Sequence, residues 1–232
     1  MDTTPTGVTG SRYSREAIMA NESQENFLIR IRKALANRGE PIKQPHDLEI
    51  ARVVGSDQNP IELFTNHLNE SGAHVHRVAD EAKMVEKIVD ILTSADARSV
   101  IIPSGDLPSH EKIIERLKAN GVNSLNPDDQ EAYFEAEAGI TGVACAIAES
   151  GSMSVTSGSS RRPLASLAPP VHIGIVRAEH IIPDLLDWSV TESPNMPANE
   201  VLVSGPSKTA DIEMTLVPGG HGPGTLYVII VG

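Results

Sequence analysis

Glu149 closes the apolar run from Gly142 to Ala148 and is followed by Ser150 and Gly151. A carboxylate at the end of such a run is partly desolvated, which raises its pKa toward the range useful for a base or nucleophile. The same residue also suits a hairpin turn, accepting backbone N–H bonds. A second candidate is Ser204-Gly205-Pro206-Ser207-Lys208-Thr209. It follows an apparent strand, and the spacing predicts a helix from Ser207 to Leu216. Free backbone N–H groups, hydroxyls and one ammonium would then converge on an anion, a carboxylate or a phosphate. Ser207 serves equally as an ordinary N-cap there. The spacing of a Walker loop is absent. Thr141, just ahead of the apolar run, is counted with this anion-binding set.

His221 lies in Gly-Gly-His-Gly-Pro-Gly, where the backbone can approach a ligand closely and an imidazole could relay a proton; loop histidines are also ordinary surface residues. His172 alternates out of the face formed by Val171, Ile173 and Ile175. His74 and His76 share one face of a predicted strand without an identifiable third ligand, so solvent-facing histidines are preferred and no metal site is expected. Cys145, between Ala144 and Ala146, reads as a small core residue. Arg161 and Arg162 could clamp a carboxylate, meet an acidic partner, or simply face solvent.

The elements that must position these groups are legible from periodicity. Phe27, Leu28, Ile31, Ala34 and Leu35 mark a first amphipathic helix, with Ser23 as its cap and Gly39 past its end. A short strand near Val53 precedes a helix that opens at about Pro60, carries Ile61, Phe64 and Leu68 on one face, and stops before Gly72. Strand His74 to Val78, a helix with Met84, Val85, Ile88, Ile91 and Leu92, the buried strand Val100-Ile101-Ile102 and a helix with Ile113, Ile114 and Leu117 follow. This alternation predicts β-α-β-α around a parallel sheet. In the second half, Gly142 to Ala148 and Ser152 to Ser157 form a β-hairpin through Glu149-Ser150-Gly151. Strands are predicted at Val171 to Val176, Val201 to Ser204 and Leu226 to Val231, with a further helix at Ile182 to Trp188.

The chain has 232 residues, 40% hydrophobic and 22% charged, with only 3% aromatic, so a core of Ile, Val, Leu and Ala is expected. Residues 1–22 are read as a disordered extension, with Met19 as an alternative start, and residues 23–232 as one α/β domain. Nineteen basic against 31 acidic residues give a net charge of −12, which opposes a nucleic-acid partner. No stretch reaches the length of a membrane span and no signal peptide is apparent, so the cytoplasm is the expected compartment. One cysteine precludes an internal disulfide or a cysteine-ligated cluster within a single chain. No cofactor of the chain's own is expected.

Four separated strings, G-I-T-G-V-A-C-A-I-A-E-S-G-S (139–152), L-A-S-L-A-P-P-V-H-I (164–173), S-G-P-S-K-T-A-D-I-E (204–213) and H-G-P (221–223), resemble the lactate-utilisation protein C family, LutC/YkgG or the LUD domain. The resemblance is dense over residues 139–232 and extends upstream only in layout. It implies a fold like the NagB/RpiA/CoA-transferase group, a mostly parallel sheet with helices on both faces. It also implies a part in oxidising L-lactate to pyruvate beside partner subunits that carry iron–sulfur clusters. Glu149 then corresponds in kind to the glutamate used by CoA-transferase relatives. Two other roles stay open: a stand-alone CoA-transferase or isomerase-like enzyme, or an organic-acid sensor. Homo-oligomerisation is compatible with each.

Overall fold

The computed structural model describes residues 24–37, 53–55, 57–103, 107–157, 163–190, 197, 199–210, 216–218 and 222–232. The chain divides into two units, Met1–Asp47 and Leu48–Gly232. The first contributes α1, Gln24–Ala36, on which Phe27, Leu28, Ile31 and Leu35 are exposed. The expected cap Ser23, residues 1–22 and Gly39 lie outside the described residues.

The second unit runs α2 Pro60–Ser71, β1 His74–Val78, α3 Glu81–Ser94, β2 Ser99–Ile101, α4 His110–Ala119, β3 Asn123–Leu125, α5 Ala132–Glu135 and β4 Ala138–Gly142. It continues with β5 Cys145–Ile147, β6 Ser152–Ser157, β7 Val171–Arg177, β8 Ile181–Ile182, α6 Leu185–Val190, β9 Asn199–Val203, β10 Lys208–Ala210, β11 Leu216–Pro218 and β12 Thr225–Val231. Six strands form one sheet in the order β1-β12-β7-β4-β2-β3, every pairing parallel. A second sheet, β8-β5-β6-β9, contains the hairpin β5/β6 joined by a 3₁₀ turn at Ala148–Ser150.

Both faces of the parallel sheet are covered, as its apolar strands require. Ile173 and Ile175 point to one face, where Met84, Ile88 and Leu92 of α3 and Ile113 and Leu117 of α4 pack. Val176, Val228 and Ile230 point to the other, against Phe64 and Leu68 of α2 and Met153 of the second sheet. The α/β architecture with helices on both faces, the N-terminal helix and the hairpin are therefore as the sequence suggested.

The sequence of α2 explains its ends. The Asn59 side chain accepts from the Ile61 N–H at 3.0 Å, Pro60 supplies a preset φ, and Gly72 leaves in the left-handed conformation at φ 94°. Phe64, fully buried beneath it, ties this helix to the sheet. Phe64→Ala should lower unfolding stability by about 3–5 kcal/mol, read from denaturant midpoints.

Three local readings are corrected. Val53 is 70% exposed and lies in no strand: of the apolar pair only Val54 turns inward, and neither pairs with a strand among the described residues. Ile181–Ile182 is a strand, and the helix after it starts only at Leu185, where the Asp184 carboxylate accepts from the Leu186 and Asp187 N–H groups at 3.0 Å each. Most consequential, Lys208–Ala210 is not helical: it pairs antiparallel with Leu216–Pro218, and the Ser207 N–H donates to the Pro223 carbonyl at 2.8 Å. The helix dipole expected to act on an anion at Ser207 is therefore absent.

Candidate functional site

The last two turns of α2 form the platform on which the small-residue segments meet. Gly151, at φ +61°, lies so close that a Cβ there would sit 2.9 Å from His67 Cβ and 3.0 Å from the Leu68 nitrogen. Gly205 is pressed on Ser71, where a Cβ would come within 2.7 Å of Oγ. Glycine at these two positions brings the turn of the β5/β6 hairpin and the loop after β9 onto one helix end.

Between the two loops runs a line of hydroxyls. Ser150 Oγ is 2.8 Å from Ser152 Oγ, which is 2.6 Å from Ser204 Oγ. Ser152 is buried, while Ser150 and Ser204 are exposed. Beside Ser204, Lys208 Nζ donates to the Ser71 carbonyl at 2.5 Å, a cation placed on the carbonyl end of a helix. Ser71, Leu202, Ser204, Gly205, Pro206 and Lys208 line an open cavity of about 390 Å³. The loop ahead of β12 joins the same region. Pro223 receives Ser207, a Cβ on Gly222 would approach Ser207 Cβ to 3.4 Å and the Leu167 carbonyl to 3.8 Å, and the Thr225 N–H donates to the Pro170 carbonyl at 3.2 Å. Segments distant in sequence thus gather at the amino ends of β7 and β12.

Of the residues singled out from sequence, Ser204, Gly205 and Lys208 share this cavity, with Ser207 behind it. Thr209 lies on β10, with its side chain outside the described residues; His221, Arg161 and Arg162 are also outside them. Glu149 stands next to Ser150, but its carboxylate accepts the Leu185 N–H at 3.1 Å, at the start of α6. Thr141 lies within the parallel sheet, buried, 2.8 Å from His172 Nε2. His172 has no exposure and no partner for Nδ1, and burial pushes its imidazole pKa down to about 4. Burial, then the Glu200 carboxylate, push the Cys145 thiol up to about 11, which opposes a thiolate role. His74 stacks on Tyr227 with ring centroids 5.0 Å apart, and among the described residues no group of three potential ligands could hold a metal.

His67, Ser71, Ser150 and Ser152 were missed from sequence. Their signal was available: with Phe64 and Leu68 facing the core, His67 and Ser71 occupy the adjacent stripe of α2, four residues apart.

The model of the LUD domain family matches residues 61–231. The chain belongs to that family. The LUD domain thereby contains the whole cavity and its α2 platform. The chain is 30% identical over 222 residues to lactate utilization protein C of Deinococcus radiodurans, covering 91% of this chain and 96% of that protein. It is 34% identical over 104 residues to an uncharacterized protein of Neisseria meningitidis serogroup B, spanning 45% of that protein's length. The fold is similar to the crystal structure of a DUF162 family protein from D. radiodurans, with a TM-score of 0.53 at 25% identity, over 75% of this chain and 96% of the other. Among its described residues no helix of this LUD domain protein is long and apolar enough to cross a membrane.

Proposed function

We propose that the chain serves lactate utilisation as a non-redox subunit that holds a small organic acid while iron–sulfur partner proteins move the electrons. The similarity to lactate utilization protein C along almost the whole of that protein carries this reading. The chemistry of the cavity supports it: an ammonium and exposed hydroxyls suit a carboxylate, since hydrogen bonds to a charged group are the stronger kind. Oxidising a 2-hydroxy acid to a 2-oxo acid removes two electrons and two protons. One cysteine in the chain is too few to ligate an iron–sulfur cluster within a single copy, which fits clusters carried by partner proteins. A stand-alone enzyme built on Glu149 has less support, because that carboxylate is engaged with the Leu185 N–H.

Cells lacking this chain should fail to grow on L-lactate as sole carbon source and recover with the wild-type copy. Unchanged growth would sink the proposal. For the purified protein, Lys208→Ala should weaken L-lactate binding about tenfold, the effect of one charge-assisted hydrogen bond, measured by titration calorimetry. Turnover of L-lactate by the isolated chain would favour the enzyme reading instead.

A further inference from the structure

We infer that Ser152 is a positioning residue that turns the Ser204 hydroxyl into a hydrogen-bond donor toward a bound carboxylate. This role rests on the reading of the Ser204–Lys208 cavity as the acid-binding site. Ser152 opens β6 and is only 4% exposed. Ser204 and Lys208 line the cavity, and Ser152 stands behind Ser204 without lining it. The antiparallel register that pairs Met153 with Val203 puts Ser152 opposite Ser204, one step beyond the ladder, with the hydroxyl oxygens 2.6 Å apart. On its other side Ser152 Oγ lies 2.8 Å from Ser150 Oγ in the hairpin turn. α2 fixes both ends of this row through the glycines that follow the outer serines. Gly151, after Ser150, packs on His67 and Leu68, and Gly205, after Ser204, packs on Ser71.

A hydroxyl carries one hydrogen. Ser152 therefore donates to one neighbour and accepts from the other, so the row has two polarities. In one, Ser204 donates to Ser152 and offers the cavity lone pairs alone. In the other, Ser150 donates to Ser152, Ser152 donates to Ser204, and the Ser204 hydrogen is left for a ligand. Ser150 and Ser204 are both exposed, so water completes the outer ends of either polarity. A carboxylate only accepts, and it selects the second. Bonds in a row polarise one another, so a Ser204 oxygen that is already accepting becomes the better donor. The Lys208 ammonium has three hydrogens and spends one on the Ser71 carbonyl. A carboxylate then meets a hydroxyl donor and a cationic donor on the walls of one cavity.

The test is titration calorimetry of the full chain with L-lactate, in the wild type, in Lys208→Ala, Ser204→Ala and Ser152→Ala, and in the double variant Ser152→Ala/Ser204→Ala. Ser204→Ala should weaken binding about tenfold, the effect of one hydrogen bond to a charged group, and Ser152→Ala about threefold to fivefold. Once Ser204 is alanine, adding Ser152→Ala should change the affinity by less than about twofold, because its effect passes through the Ser204 hydroxyl. Melting temperatures of the single variants should stay within about 4 °C of wild type, since water satisfies the exposed hydroxyls left behind. If Ser152→Ala does not fold, Ser150→Ala reads the same row from its outer end, as about a twofold loss that vanishes when Ser204 is alanine. Losses that add in the double variant would show Ser152 acting on the fold rather than through Ser204, and would overturn the role. Wild-type affinity in Ser152→Ala or in Ser204→Ala would overturn it as well, and weakened binding in Lys208→Ala would then leave the cavity standing. Absence of L-lactate binding, or binding indifferent to both Lys208→Ala and Ser204→Ala, would remove the cavity reading and the role of Ser152 with it.

Discussion

Gly139→Ala should lower stability by about 4 kcal/mol or more and the melting temperature by about 10 °C, or prevent folding altogether. A Cβ at this position on β4 would fall 1.8 Å from the Ala165 carbonyl oxygen and 2.8 Å from its carbon. Both are backbone atoms in the 3₁₀ turn Pro163–Ser166, which lies flat on the sheet, with Ala165 buried. No rotamer change relieves such an overlap; either the turn lifts or the strand shifts. Gly224→Ala supplies the control, because a Cβ there meets nothing within 4 Å. Its stability should stay within about 0.5 kcal/mol of wild type. Thermal unfolding of the two variants decides the matter, and similar midpoints would show that the turn does not bear on β4 as described.

Acid should weaken the fold through His172. Burial lowers its pKa from 6.5 to about 4, so between those values the unfolded chain binds a proton that the folded chain refuses. The stability attached to the neutral ring is therefore complete above about pH 6.5 and is lost as the pH falls toward 4. The gap between the two values corresponds to about 3 kcal/mol. Other groups titrate on the way down, among them Glu81, whose carboxyl is held low by the Ser109 hydroxyl and then by Arg177. A difference measurement isolates the histidine. In His172→Leu combined with Thr141→Val, neither partner of the buried bond remains to be orphaned. The melting temperature of that variant should decline less steeply than that of the wild type between pH 6.5 and 4. Parallel declines would exclude His172 as the acid-sensitive group.

The parallel sheet was legible because its elements are long enough to show a period. Phe64 and Leu68 on α2, and Met84, Ile88 and Leu92 on α3, announce which side faces the core. The second sheet escaped notice because β5 has three residues and β8 two, too few for alternation to appear. The run that seemed one strand from Gly142 to Ala148 in fact changes sheets: Gly142 ends β4 in the parallel sheet and Cys145 begins β5 in the other. At Ser207 the local pattern favoured a helix, yet pairing of Lys208–Ala210 with Leu216–Pro218 and the bond to Pro223 override it. Those are tertiary facts, invisible to a local window. The site was half legible for the same reason. Ser204, Gly205 and Lys208 stand out as a small-residue segment, while His67 and Ser71 arrive from a helix more than a hundred residues upstream and acquire their meaning only from what α2 touches.

The position of β12 between β1 and β7 has a consequence for how the molecule is made. His74 on β1 takes its partner Tyr227 from about 150 residues later in the chain, and β1 has no other neighbour in the sheet among the described residues. A nascent polypeptide can close β4 on β2 and β7 on β4 as each emerges, but β1 and the helices beside it wait for β12 to leave the ribosome. Until then the apolar edge of β7 that will receive β12 is open to solvent and to other chains. Truncating the chain within β12 would therefore unmake two strand pairings at once, and folding of this domain should lean on chaperones until β12 has emerged.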